Sequence, residues 1–224
     1  MPSPRTWPAG SGVRERRLRR LVAVVLAVAV LALSGCGSDR QPNAVAGLTG
    51  SDNHGFHGTY LDTPYLVPDL TLTDTAGAPY SLAAAPAPLK IVFFGYTKCP
   101  DICQVVMSTI ASAVSRLKAD QRDRVQVVFV TTDPGRDTRP VLRTYLDRLD
   151  PAFVGLTGEL PRIIDLAKPL KVFIEKGARL PSGGYDVTHT TEVFGVAGNQ
   201  ARLAWGQDTS PSAMAADIIK LLRS

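Results

Sequence analysis

Cys99 and Cys103 are the residues of this chain best placed to do chemistry, because two thiols four positions apart fall on one face of a helix, one turn from each other. Four residues of helical rise span roughly 6 Å. That separation suits either a reversible disulfide or two sulfurs converging on one metal ion. The stretch around them is Thr97-Lys98-Cys99-Pro100-Asp101-Ile102-Cys103. An apolar run, Ile91 to Tyr96, leads in, and an amphipathic run from Val105 to Leu117 leads out. This pattern predicts a buried strand, a tight turn and a helix that starts at the cysteines. The thiols then sit at the carboxyl end of a strand, the edge where open α/β sheets bind ligands. A helix amino terminus there favours thiolate over thiol.

Further groups widen the choice. His189 opens the segment that leads into the strand Thr191–Val196, and a thioredoxin-like sheet would return that strand beside the cysteines. Proteins of that kind which exchange disulfides carry a proline before this strand and two residues between their cysteines. Here Thr188-His189-Thr190-Thr191 has no proline, and three residues separate the thiols. Both features favour a metal. Two thiolates and one imidazole form a soft, three-ligand set; structural zinc takes four protein ligands, whereas thiolates select Cu(I) and imidazole suits copper in either oxidation state. One copper ion held by Cys99, Cys103 and His189 is the expectation. Asp101, Asp133 and Asp137 are candidates for an outer contact, Asp137 foremost, although each equally suits a cap or an ion pair. A redox pair made of Cys99 and Cys103 stays open as the alternative. His54 and His57 are expected to be solvated linker residues.

The elements that must hold these groups follow in order. Residues 1–35 combine six arginines with the apolar run Leu21–Leu33 and then Ser34-Gly35. This is the pattern of a secretory signal, too short in its apolar part for the about 20 residues of a spanning helix. Leu33-Ser34-Gly35-Cys36 resembles a bacterial lipoprotein box, with Cys36 the lipid-modified residue, which anchors the domain on the outer face of the cell membrane. The formal charge of +5 belongs to this leader; the other residues carry 19 basic and 19 acidic side chains and give no case for nucleic acid. No glycine-rich loop follows a strand, so no nucleotide site is expected. Residues 36–58 read as a flexible tether. Residues 59–224 read as one α/β domain: an edge hairpin around Asp74 and Gly77, a parallel pair Ile91–Tyr96 and Val125–Thr131, and a helix from Arg139 capped by Asp137 or Thr138. A strand-like Lys171–Ile174 follows, then a mobile loop Lys176–Tyr185, a hairpin at Gly198-Asn199, and a last helix capped by Ser210.

Four blocks together resemble the SCO/SenC family: Phe94 to Cys103, Thr132 to Thr138 with Leu142 and Tyr145 behind it, Gly155 to Gly158, and Asp186 to His189. The resemblance implies a thioredoxin-like fold with a central mixed sheet flanked by helices, copper bound by Cys99, Cys103 and His189, and membrane tethering. It implies a metallochaperone for the dinuclear copper centre of cytochrome c oxidase subunit 2. A thiol–disulfide oxidoreductase that reduces the acceptor's cysteines is the alternative function. Lys98, Gln104 and Phe194-Gly195 depart from the residues many members carry there, and no ligand is lost.

Overall fold

The computed structural model describes residues 53–100, 102–179 and 185–223, so the leader, Cys36 and Asp101 lie outside the described residues. The strands are β1 (Thr59–Leu66), β2 (Thr71–Asp74), β3 (Pro79–Ser81), β4 (Leu89–Gly95), β5 (Val125–Thr131), β6 (Val154–Thr157), β7 (Ile174–Arg179), β8 (Tyr185–His189), β9 (Val193–Ala197) and β10 (Gln200–Trp205). The helices are α1 (Ile102–Ser115), α2 (Ala119–Arg122), α3 (Arg139–Asp147), α4 (Leu160–Ala167) and α5 (Pro211–Leu221). Eight strands form one mixed sheet in the order β1-β10-β9-β4-β5-β6-β2-β3, while β7 and β8 make a separate two-stranded ribbon.

Strand β4 shows why the chain folds this way. Its residues are apolar almost without alternation, which marks a strand covered on both faces. Ile91 and Phe93 point to one face and pack with Val106, Met107 and Ile110 of α1, Leu142 of α3, and Met214 and Ile218 of α5. Val92 and Phe94 point to the other and meet Ile163 and Leu166 of α4. All four β4 side chains are fully buried, each contributing about 1.5–3 kcal/mol of transfer free energy. β4 pairs in parallel with β5, and β5 with β6, while β9 runs antiparallel on the other side of β4. The result is a thioredoxin-like layer of helices on either face of a mixed sheet.

The hairpin β2–β3 forms the sheet edge as expected, with Gly77 at φ +96° in its turn. The β9–β10 turn likewise places Gly198 at φ +56°, a left-handed conformation that glycine adopts without penalty. Ser210 caps α5 by accepting from the Ala213 amide.

Three expectations are corrected. Of the segment Lys176–Tyr185, expected as a loop, Lys176–Arg179 extend β7 and Tyr185 opens β8, because cross-strand pairing overrides the loop propensity of Gly177; residues 180–184 lie outside the described residues. The strand expected over Lys171–Ile174 begins only at Ile174, because Lys171 takes a left-handed conformation at the end of a short 3-10 turn. Asn53 to Gly58, expected to be the end of a tether, are tied to the domain although His54 and His57 are exposed: Phe56 is buried in the core. The His57 and Gly58 amides donate to Asp217 at 2.9 Å and 2.8 Å.

Candidate metal centre

The site is assembled where β4 and β5 end together. The parallel pairing runs one residue further, with the Thr132 amide donating to the Gly95 carbonyl at 2.7 Å. The chain then turns sharply, the Cys99 amide donating to the Tyr96 carbonyl at 3.2 Å. Asp137 fixes this turn. Its carboxylate is fully buried and accepts three bonds: from the Thr97 amide at 2.9 Å, the Thr97 hydroxyl at 2.5 Å and the Thr131 hydroxyl at 2.7 Å. It therefore ties the cysteine loop to the end of β5. Thr138 occupies the cap position of α3 without a side-chain bond, so Asp137 serves the loop and not the helix. The cost is visible in its ionisation: burial raises the Asp137 pKa above the ordinary carboxylate value, outweighing the Thr97 and Thr131 bonds that lower it.

Helix α1 starts at Ile102, later than expected, so Cys99 precedes the helix and Cys103 is its second residue. The Cys99 sulfur takes the place of a capping oxygen, accepting from the Cys103 amide at 3.3 Å. Cys103 is 1% exposed and Cys99 9%. Burial pushes the Cys103 thiol far above its usual range, and its sulfur contact with Cys99 adds to the shift. The expectation that the helix terminus would favour thiolate at both positions is thus overturned for Cys103. Desolvation of a sulfur inside the core is larger than the attraction of a helix end.

His189 closes the group from the other side. It ends β8, opposite Ile174 in the ribbon register, and not the start of β9. Its Nε2 lies 3.4 Å from the Cys103 sulfur. Its Nδ1 lies 2.9 Å from the Thr190 carbonyl, an acceptor only, so Nδ1 carries the proton and Nε2 presents its lone pair to the sulfurs. The rings of Tyr96 and Phe93 meet the imidazole edge-on at 5.8 Å and 6.1 Å between centroids. The Val187 amide donates to the Tyr96 hydroxyl at 3.4 Å, linking the ribbon back to the cysteine loop. The ligand atoms of Cys99, Cys103 and His189 all lie within 4.8 Å of one another.

The donor set fits a soft monovalent ion better than structural zinc. Two sulfurs and one nitrogen converge, the Asp137 oxygens are taken by threonines, and Asp133 pairs with Arg136. His54 instead faces Asp62, 3.5 Å away, and meets the Tyr60 ring at a tilt, centroids 4.4 Å apart. Lys98 is exposed beside a cavity of about 320 Å³ that it lines with Thr97, Thr144, Tyr145 and Arg148. Sequence reasoning assigned no role to Thr97, Thr131, Tyr96 or Tyr145. Threonines and aromatics at those places look like ordinary strand and helix residues, and only the folded packing shows what they touch.

Fold and site together define a thioredoxin-like domain with a Cys-Cys-His cluster at the carboxyl edge of its sheet. The SCO1/SenC family model matches residues 59–223, and the chain belongs to that family. It is similar to the mitochondrial protein SCO2 of Saccharomyces cerevisiae, 32% identical over 139 residues, which are 62% of this chain and 44% of that protein. An SCO2-like protein of Rickettsia conorii is 35% identical over 114 residues, 51% of this chain and 55% of the relative. The chain thus spans about half the length of these relatives. Among solved structures, apo Sco1 of Thermus thermophilus matches with a TM-score of 0.64 at 32% identity, over 75% of this chain and 96% of that one. Yeast Sco1 with copper bound matches with a TM-score of 0.66 at 25% identity, over 72% and 90%.

Proposed function

We propose that Cys99, Cys103 and His189 hold one copper ion, and that the chain is a metallochaperone handing it to the dinuclear copper centre of cytochrome c oxidase subunit 2. In this reading a lipid on Cys36 keeps the domain at the outer face of the cell membrane. The observation that carries the proposal is the meeting of the imidazole Nε2 with the cysteine pair, all three donor atoms within 4.8 Å. The copper-bound form of the similar yeast Sco1 supports the choice of metal.

The residues imply an order of events. Copper replaces the proton of the buried Cys103 thiol, which goes to solvent, so uptake and proton release are linked. Cys99, the more exposed sulfur, faces an incoming acceptor. His189 belongs to a ribbon that is not hydrogen-bonded into the main sheet, so it is the ligand that yields first as acceptor sulfurs take over. Changing His189→Ala tests this: copper affinity measured against a competing chelator falls sharply while the circular dichroism spectrum is kept. Unchanged affinity would remove His189 from the site.

The exposure difference between the two sulfurs also favours a second reading, thiol–disulfide exchange. Cys99 as thiolate attacks a substrate disulfide and forms a mixed disulfide; Cys103 as thiolate then displaces the substrate. The substrate leaves with two thiols, and Cys99–Cys103 becomes the disulfide. Many turnovers of disulfide reduction with an added reductant, without copper and undiminished in His189→Ala, would select this reading. The two uses are compatible, since the sulfurs must be reduced before copper enters.

A further inference from the structure

Tyr145 presents a hydroxyl that no described residue engages. The side chain is 7% exposed, and its oxygen is buried with no hydrogen-bond partner among the described residues. Leaving a hydroxyl in that state costs free energy, and a phenylalanine would pack the same volume without it. The ring comes from α3 and packs on Phe129 of β5, centroids 5.5 Å apart. It belongs to the same buried cluster as Cys99 and Cys103, and lines the cavity beside the loop with Thr97 and Lys98.

The neighbours narrow its purpose. Burial raises the phenol's pKa, with Cys103, Cys99 and Asp137 adding to the shift, so the hydroxyl keeps its proton and can act as a donor within the cluster it shares with both cysteines. The Asp137 oxygens already accept from Thr97 and Thr131. That leaves the sulfurs. A neutral thiol is a weak acceptor, whereas a thiolate is a strong one.

We infer that Tyr145 is a positioning residue for the cysteine pair, its O–H donating to a cysteine sulfur once that sulfur has exchanged its proton for copper. No electrons move: the thiol proton goes to solvent, the sulfur–copper bond forms, and Tyr145 keeps its own proton. Copper binding thus turns the neighbouring sulfur into a strong acceptor for this hydroxyl. This rests on the copper site proposed above and adds a residue outside the ligand set.

Tyr145→Phe in the full chain in detergent is the test, because it removes one oxygen and keeps the ring. Three readouts are taken: Cu(I) affinity against a chromophoric chelator, the sulfur-to-copper charge-transfer band of the Cu(II) form, and the melting temperature without metal. The expected result is an affinity about tenfold lower, the size of one hydrogen bond to a charged acceptor, and a band moved to lower energy. The metal-free melting temperature is unchanged or higher. Unchanged affinity and band would overturn the inference while leaving the copper site standing. A melting temperature lowered by several degrees in the metal-free variant would also overturn it, by showing that the hydroxyl already has a structural partner. A wild-type chain that takes up no copper would overturn both.

Discussion

Replacing Asp137 in two ways separates its shape from its charge. The carboxylate accepts three bonds and is fully buried, so Asp137→Ala strands the Thr97 amide and frees both threonine hydroxyls. A buried donor left unpaired costs about 1–3 kcal/mol, and the lost contacts add to this, giving a destabilisation of about 3 kcal/mol. Asp137→Asn behaves differently. Its oxygen still accepts from the Thr97 amide and the Thr131 hydroxyl, and its amide can donate to the Thr97 hydroxyl, which rotates to accept. Because burial outweighs the hydrogen bonds in setting the Asp137 pKa, the charge is unfavourable in the folded state. Asp137→Asn is therefore expected within about 1 kcal/mol of wild type at pH 7, on the stable side. The sign with pH follows. The folded pKa lies above the unfolded one, so the wild type is relatively most stable below the unfolded value and loses stability as pH rises from there through the folded value. The advantage of the asparagine variant grows over that same window and then levels off. Urea unfolding followed by fluorescence of the buried Trp205, at several pH values, measures both variants. An asparagine variant as unstable as the alanine one at pH 7 would refute the claim that donor satisfaction, and not charge, is what Asp137 provides.

Other outcomes follow from the same geometry. Copper uptake must displace the proton of the buried Cys103 thiol, so apparent affinity rises about tenfold per pH unit through the neutral range for each proton released; a flat profile would mean the thiol was already ionised. Asp217→Ala removes the acceptor shared by the His57 and Gly58 amides and the Trp205 indole. It should cost about 3 kcal/mol by urea unfolding and expose Asn53–Gly58 to proteolysis. His189→Ala should leave the unfolding midpoint within a few tenths of a molar of urea while lowering copper affinity, because its ring is only half-buried.

Much of this arrangement was legible in the amino-acid order, for local reasons. The run Ile91–Phe94 has no polar partner for a solvent face, so it had to be a strand covered on both sides, and the cysteines had to follow its end. The loop Asp133–Thr138 was placed on the same edge by the parallel pairing that a strand–helix–strand order enforces. His189 was legible as a donor of the right type, but its distance from the sulfurs depends on the β7–β8 ribbon, whose strand residues Lys176–Arg179 read as the start of a loop. The upward push on the Cys103 thiol was not legible, because position at a helix terminus can be read from spacing, whereas burial in the core cannot. Asp137 looked like a helix cap, since nothing local reveals that Thr97, forty residues earlier, reaches it first. Tyr145 was legible as part of the second family block, behind Thr132 to Thr138, but nothing local attached a role to its hydroxyl.

X-ray absorption at the copper edge of the loaded full chain, compared with its His189→Ala variant, tests the three-ligand site most directly. The expected spectrum has two sulfur neighbours and one imidazole nitrogen per copper, with the imidazole scattering gone in the variant. A spectrum with sulfur neighbours alone, or one identical in the two proteins, would contradict the site described here.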